Sequence, residues 1–206
     1  MKVLVLGATG KTGSLVVERA LAKKHEVTVL IRDPAKFTGN GVRVLAGDAT
    51  RPDDVRKAMV GQAAAIDTIG GTTPYKATRL ESTAVGNVID AMRVEGARRL
   101  IVVSMMGIGE SRAQAPFWYK HLLMPTFLRG STPDKRLMEA AVAASGLDYV
   151  IVRPPILGDG APIGNAIVLG AGKIGHKITR ADLANFVVDQ LTFDGHLGGA
   201  VTVVNS

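Results

Sequence analysis

Apolar positions along the chain follow two alternating rhythms. Short, almost unbroken apolar runs (KVLVLG, HEVTVLIR, VRVLAGD, AAAIDTIGG, RRLIVVS, LDYVIVRPP and, at the end, AVTVVN) have the length and β-branched content of buried strands. Between them lie stretches with helical spacing. KTGSLVVERALAKK puts Leu15, Val16, Arg19 and Ala20 on that spacing, and RLESTAVGNVIDAMRVEG reads as a long amphipathic helix ending near Gly96. TRPDDVRKAMVG, PDKRLMEAAVAASG and TRADLANFVVDQLTF are the remaining helices, with Pro133 expected to open the second of these three. Thr50 with Asp53, and Thr179 with Asp182, have the spacing of capping boxes. Regular alternation of strand and helix predicts an α/β fold: a doubly wound parallel sheet with helices on both faces, in one domain over residues 1–206. Sites in such sheets lie beyond the carboxyl ends of the strands, where the strand order reverses. The segments expected to converge there are Gly7–Gly13, Arg32, Asp48, Gly70–Tyr75, Ser104–Gly109 and Pro154–Ile156.

The loop after the first strand, VLGATGKTGS, admits two chemistries. Its "GKT" is the tail of a phosphate loop for phosphoryl transfer, which requires Gly-x-x-x-x-Gly-Lys-Ser/Thr. Counting back from Gly10, Lys11 and Thr12, the first glycine of that motif falls on Val5, so the phosphate-loop pattern fails. Gly7, Gly10 and Gly13 instead form the glycine loop of a Rossmann-like dinucleotide site. Gly7 lets the chain turn off the strand, Gly10 clears space for a pyrophosphate, and Gly13 lets the helix approach the sheet. The helix starting near Lys11 aims free N–H groups at the phosphates, and the hydroxyls of Thr9 and Thr12 add donors.

The second strand selects the dinucleotide. An NAD site carries Asp or Glu at this strand end for the ribose hydroxyl. Here the strand ends in Arg32, with Lys36 one turn later, and no acid takes the ribose place unless Asp33 turns in. NADP(H), with NADPH preferred over NADH, is therefore expected. Asp48, at the end of AGD, is either an acceptor for the adenine amino group or a turn carboxylate; Ala49 follows it.

Composition narrows the field. There is no cysteine, which excludes disulfides, thiolate nucleophiles and zinc–thiolate centres and fits the cytoplasm. Apolar residues make up 47%, enough for a sizeable core, yet no apolar run reaches a membrane span and no signal peptide is expected. The formal charge of +7 favours anionic partners, but the basic residues are scattered and no helix-turn-helix or zinc-finger pattern occurs, so neither nucleic acid nor membrane is an expected partner. His25, His121, His176 and His196 show no metal-ligand spacing, and Gly-x-Ser-x-Gly is absent. Oligomeric state is left open.

Together, VLVLGATGKTG, HEVTVLIRDPAK, LAGDAT, RRLIVVS, KRLMEAAVAASGLDYVIVRPPIL and KITRADLANFVVDQL resemble the atypical short-chain dehydrogenase/reductase group. More narrowly, they resemble the NAD(P)H-binding proteins related to biliverdin reductase B (flavin reductase) and the NmrA-like proteins. The resemblance spans nearly the whole chain. It implies dinucleotide contacts at Gly7, Thr9, Gly10, Thr12, Arg32 and Asp48, at Ile69, Gly70 and Gly71, and at Pro154, Pro155 and Ile156. Most short-chain dehydrogenases use a Tyr-x-x-x-Lys pair, which this chain lacks. Four residues after Tyr75, Tyr119 and Tyr149 stand Arg79, Leu123 and Arg153. By alignment Lys135 holds the lysine place, and Ser131 stands where the tyrosine would be. Where relatives often have two adjacent hydroxyls after strand five, this chain has Ser104 and Met105.

The missing tyrosine argues against ketone reduction and sugar epimerisation. Hydride transfer to a flavin, quinone or bilin-like acceptor needs no such acid, because water can protonate the product. FMN or FAD would then be a substrate and not a prosthetic group. Ser104 is expected to bond nicotinamide or substrate, and Lys135 to hold an anionic acceptor or pass a proton; the alternatives are a strand-terminating serine and an exposed helix lysine. Met105 and Met106 are expected to wall an apolar pocket. The segment 107–131 should overhang the site, offering Trp118 to stack on a planar acceptor unless its aromatics form a local mini-core, with Tyr75 approaching the nicotinamide side. A non-catalytic NAD(P)(H)-binding sensor of NmrA-like type is the alternative function.

Overall fold

The computed structural model describes residues 1–71 and 73–206. The predicted Gly70–Tyr75 stretch includes Thr72, which lies outside the described residues. Eight strands form one sheet in the order β3-β2-β1-β4-β5-β6-β10-β8. They are β1 (Lys2–Leu6), β2 (Glu26–Ile31), β3 (Arg43–Ala46), β4 (Ala64–Asp67), β5 (Arg99–Val103), β6 (Asp148–Arg153), β8 (Ala166–Val168) and β10 (Gly199–Asn205). All pair in parallel except β8, which runs antiparallel to β10. The strand order reverses between β1 and β4, as expected of a doubly wound sheet.

Alternate strand residues feed two opposite cores, as the pleat requires. Val3, Val5, Val29, Ile66 and Val152 face α1 (Lys11–Ala22) and α5 (Arg180–Asp189). Leu4, Leu6, Ala65, Leu100 and Ile151 face α2 (Pro52–Met59), α3 (Leu80–Glu95) and α4 (Ser131–Ala143). Burial on both faces explains why the strands read as continuous apolar runs instead of alternating ones.

Several local expectations need correction. On α1 the buried face is Gly13, Val16, Val17 and Ala20, whereas Leu15 and Arg19 are only half-buried. Thr50 forms no capping box with Asp53: its N–H and hydroxyl both donate to Asp48 Oδ1, at 2.8 Å each, and Arg51 stands at the uncapped helix start. Helix α4 opens at Ser131, two residues before Pro133, which the first turn tolerates because its nitrogen needs no partner there. Thr179 does cap its helix, with Asp182 N–H donating to Thr179 Oγ1 at 3.0 Å, but the box is not reciprocal, because Thr179 N–H donates to Asn205 Oδ1 at 2.8 Å. The short parallel pair β7 (Ile156–Gly158) and β9 (Lys177–Thr179), together with β8, went unpredicted because three-residue strands carry too little periodicity.

No residue of segment 107–131 lines the cavity at the switch point, although its end meets the predicted Gly70–Tyr75 loop, where Gly130 and Ser131 N–H both donate to Pro74 O at 2.9 Å. Met105, Met106, Ile108, Ala115, Tyr119 and Met124 close into a third small core, with the Tyr119 hydroxyl donating to the Met106 carbonyl at 3.1 Å. Gln114 ties this unit to the far sheet edge: its side-chain amide donates to Leu169 O (3.1 Å), and its carbonyl accepts from Gly175 N–H (2.9 Å). A local mini-core is therefore the outcome for Tyr119, while Phe117 and Trp118 stay exposed.

Candidate functional site

A crevice of about 770 Å³ lies at the switch point, lined by Gly7–Gly13, the ends of β2 and β3 at Arg32 and Asp48–Ala49, and Thr68–Gly71. Leu80, Leu157 and Arg180 complete it. The glycines make the crevice possible. Gly7 sits at φ +78°, and a Cβ there would lie 2.7–2.9 Å from Thr68. A Cβ on Gly13 would collide with the Gly7 carbonyl, so only glycine lets α1 start this close to β1. Helix α1 begins at Lys11 after Gly10, with no side-chain cap and no acid in its first turn, which leaves its positive end uncompensated. An uncapped, glycine-lined helix start of this kind is a fitting seat for a pyrophosphate.

Charged side chains bracket that seat. Lys11 Nζ pairs with Asp159 at 3.1 Å, and Arg180 pairs with the same carboxylate. Arg180 is a site residue that the sequence reading missed; its only signal was its place directly after the Thr179 cap. Arg32 stands at the end of β2 and lines the crevice, while Asp33 turns aside to cap the short turn Pro34–Lys36, accepting from Ala35 N–H at 3.2 Å. No carboxylate therefore occupies the ribose place at the end of β2. Lys36 departs from expectation: it pairs with Asp33 at 3.3 Å and lines a neighbouring hollow that it shares with Ala8 and Thr9.

Asp48 lines the crevice and is also a turn carboxylate, since Oδ1 holds both donors of Thr50. Those hydrogen bonds, the backbone one foremost, hold its carboxyl below the usual range. Oδ2 has no partner among the described residues. Ala49 is fixed through its carbonyl, which accepts from Asn87 at 2.9 Å.

The other predicted half of the site is closed. Ser104 N–H donates to Val152 O (2.8 Å) and Met106 N–H to Pro154 O (2.9 Å), so β5 and β6 stay paired beyond their ends. None of Ser104, Met105, Met106, Pro154, Pro155 or Ile156 lines the crevice. Met105 and Met106 are core residues and not a pocket wall, because the 107–131 unit folds over them. Pro154 and Pro155 are buried, and Ile156 is exposed in β7. Trp118 is 44% exposed with its ring edge-on to Tyr119, and Tyr75 is 45% exposed beside Phe127. Ser104 Oγ is buried without any partner. Ser131 is buried too, its hydroxyl donating to Leu128 O at 3.4 Å, so it offers no acid in the tyrosine's place.

Lys135 is not an exposed helix lysine. It is 8% exposed, donates to Val103 O at 3.3 Å, and lies 3.7 Å from Glu81 Oε1. Burial raises the Glu81 carboxyl to about 7 and the Asp67 carboxyl to about 6, opposed in both by the charge of Lys135. Glu81 Oε1 also accepts from Gly71 N–H at 3.3 Å, which places this cluster directly behind the crevice wall. Among the described residues no His, Asp or Glu group could hold a metal ion, and no helix is long and apolar enough to cross a membrane.

Residues 7–194 match the NAD(P)H-binding family. The chain belongs to that family. An uncharacterized chloroplastic protein from Arabidopsis thaliana is 26% identical over 178 residues, covering 81% of this chain and 63% of that protein. The 3-diazoavenalumate denitrifying reductase of a Streptomyces species is 28% identical over 231 residues, covering 100% of this chain and 73% of the reductase. Among solved structures, the anaerobillin reductase ChuY from Escherichia coli O157:H7 superposes with a TM-score of 0.82 at 28% identity, covering 100% of this chain and 97% of ChuY. Against other relatives the chain is shorter: it spans 44% of the photosystem II assembly factor Ycf39 of Guillardia theta. Family membership agrees with the uncapped helix start and the glycine-lined crevice.

Proposed function

We propose that this chain is an NADPH-dependent reductase that passes hydride to a small planar acceptor: a flavin, a quinone or a bilin-like compound. The observation that carries the proposal is Arg32 lining the crevice while Asp33 is turned away into its own cap. A 2′-phosphate gains a cation there and meets no carboxylate at that strand end. The bound cofactor supplies the hydride. The protein's part is to seat the pyrophosphate on the start of α1 between Lys11 and Arg180, and to offer Asp48 Oδ2 to the adenine amino group. The lack of a tyrosine–lysine pair favours acceptors that need no strong side-chain acid. Two similar proteins carry the word reductase in their names, one for anaerobillin and one for 3-diazoavenalumate, which supports a redox role.

A second reading, a dinucleotide sensor without turnover, is favoured by the closure of the β5 and β6 ends over Ser104. One experiment separates the two. NADPH oxidation is followed with FMN, riboflavin, simple quinones and biliverdin offered separately, and NADH is run alongside. The reductase reading expects protein-dependent turnover that prefers NADPH. Changing Arg32→Glu should lower kcat/KM for NADPH by about 30-fold or more, the usual cost of losing a charged partner, and leave NADH nearly unchanged. Tight NADPH binding with no turnover on any acceptor selects the sensor.

A further inference from the structure

Beneath the crevice, four buried ionisable side chains lie at the boundary between the open and closed halves of the site. Asp67 ends β4, Glu81 lies in the first turn of α3, and Asp134 and Lys135 lie in the first turns of α4. Their exposures are 1%, 1%, 0% and 8%. Lys135 Nζ stands 3.7 Å from Glu81 Oε1 and 3.3 Å from the Val103 carbonyl, one residue before Ser104. Asp134 is fully engaged: Oδ2 accepts from Glu81 N–H at 2.9 Å, and Oδ1 accepts from Ser82 N–H at 3.1 Å and from the Ser82 hydroxyl. The other two carboxyls each leave an oxygen idle. Asp67 Oδ1 accepts from Ile69 N–H at 2.8 Å, but Oδ2 has no partner. Glu81 Oε1 accepts from Gly71 N–H, but Oε2 has no partner. Among the described residues, no further charged side chain is fixed to these four.

With every group ionised, three carboxylates would share one ammonium in a space closed to water. Burying uncompensated charge is costly, and a carboxyl relieves the cost by keeping a proton. The orphaned oxygens of Asp67 and Glu81 are the places for it. Because the sites interact, the proton belongs to the cluster and not to one residue.

We propose that Glu81 and Asp67 store one proton at neutral pH and, through Lys135, deliver it to an acceptor bound at the neighbouring crevice in place of the missing tyrosine. This rests on the reductase reading. The balance is simple: the acceptor takes a hydride from NADPH and a proton from the cluster, forming the two-electron-reduced product and NADP⁺. The cluster is left one proton poorer and regains it from solvent before the next turnover. Glu81 and Asp67 act through Lys135 and are positioning residues.

Infrared difference spectra of the wild-type protein across a pH titration test the store directly. A carbonyl stretch of a protonated carboxylic acid, shielded from slow deuterium exchange, is expected at neutral pH and should fade as pH rises. Glu81→Gln keeps the acceptor for Gly71 N–H and should remove or halve that band. Asp67→Asn is the second variant should Glu81→Gln fail to fold. In single turnover, Glu81→Gln should slow acceptor reduction about 10- to 100-fold at and below neutral pH, where the wild-type store is filled, and flatten the pH profile, with NADPH affinity unchanged. A wild-type spectrum without the band at neutral pH overturns the store. A lost band with an unaltered pH profile overturns delivery. A wild-type protein inert towards every acceptor sinks the reductase reading, and delivery with it, while the infrared band still reports separately on the store.

Discussion

Along the carboxyl edge of one sheet, the half from β3 to β4 is open and the half from β5 to β6 is shut. On the open side, glycines replace side chains, α1 begins uncapped, and Lys11, Arg32 and Arg180 surround a void. On the shut side, backbone hydrogen bonds continue past the strands, and Met105 and Met106 are roofed by the 107–131 unit. The contrast separates two tasks. An uncapped helix start and a glycine loop suit any dinucleotide phosphate, so that half can be preformed. An acceptor must instead be admitted against a packed apolar roof, and its identity is decided by how that roof yields.

The largest effect expected from breaking this contrast is at Arg153. It is buried and bidentate to Glu139, at 3.0 and 2.7 Å, and reaches Glu110 at the start of the roof at 2.9 Å. Arg153→Met strands the Glu139 charge and should cost about 3–5 kcal/mol in urea unfolding, while the double change with Glu139→Leu should restore most of it. No loss in the single variant would mean that the roof is not anchored there. On the open side, Gly13→Ala forces α1 away from β1. A stability loss of about 1–3 kcal/mol is expected, with NADPH binding weakened about 100-fold by calorimetry. Unchanged affinity would place the phosphates elsewhere.

The cluster at the boundary gives a smaller, pH-dependent effect. Asp67 and Glu81 titrate higher in the folded chain, at about 6 and about 7, than in the unfolded one, near 4. The native state therefore binds the extra protons between those values, and these groups add stability at low pH that is lost as pH rises towards 7. The slope is at most about 1.4 kcal/mol per pH unit for each group, and Glu81→Gln should flatten it in thermal melts from acid to neutral pH. The smallest effect concerns Trp118. Because it is 44% exposed on the outside of the roof, Trp118→Ala should change stability by less than about 1 kcal/mol and leave NADPH affinity alone.

The open half was legible in the sequence and the shut half was not, for physical reasons. The loop Gly7–Gly13 and the change of charge at Arg32 are local signals, fixed by backbone geometry within a few residues. The roof depends on Gln114 meeting Leu169 and Gly175, contacts more than fifty residues apart, which no local period announces. The burial of Lys135 is not legible either, because one helical turn does not reveal that Glu81 and Val103 lie under it. Pro133 marks the first turn of α4 but not its first residue, because a proline suits any position of that turn. Arg180 escaped because its neighbour Asp159 comes from a loop of unassigned structure.

The position of β10 in the sheet also sets a schedule for synthesis. All four strands around the cofactor crevice are made by Asp67, but β8 emerges long before its sole partner and must wait for residues 199–205 to slide in between it and β6. At a ribosomal pace of about 5–20 residues per second, the nascent chain carries an unsatisfied strand edge for seconds. The growing polypeptide can thus complete the strands of its crevice end while its far edge is still unpaired.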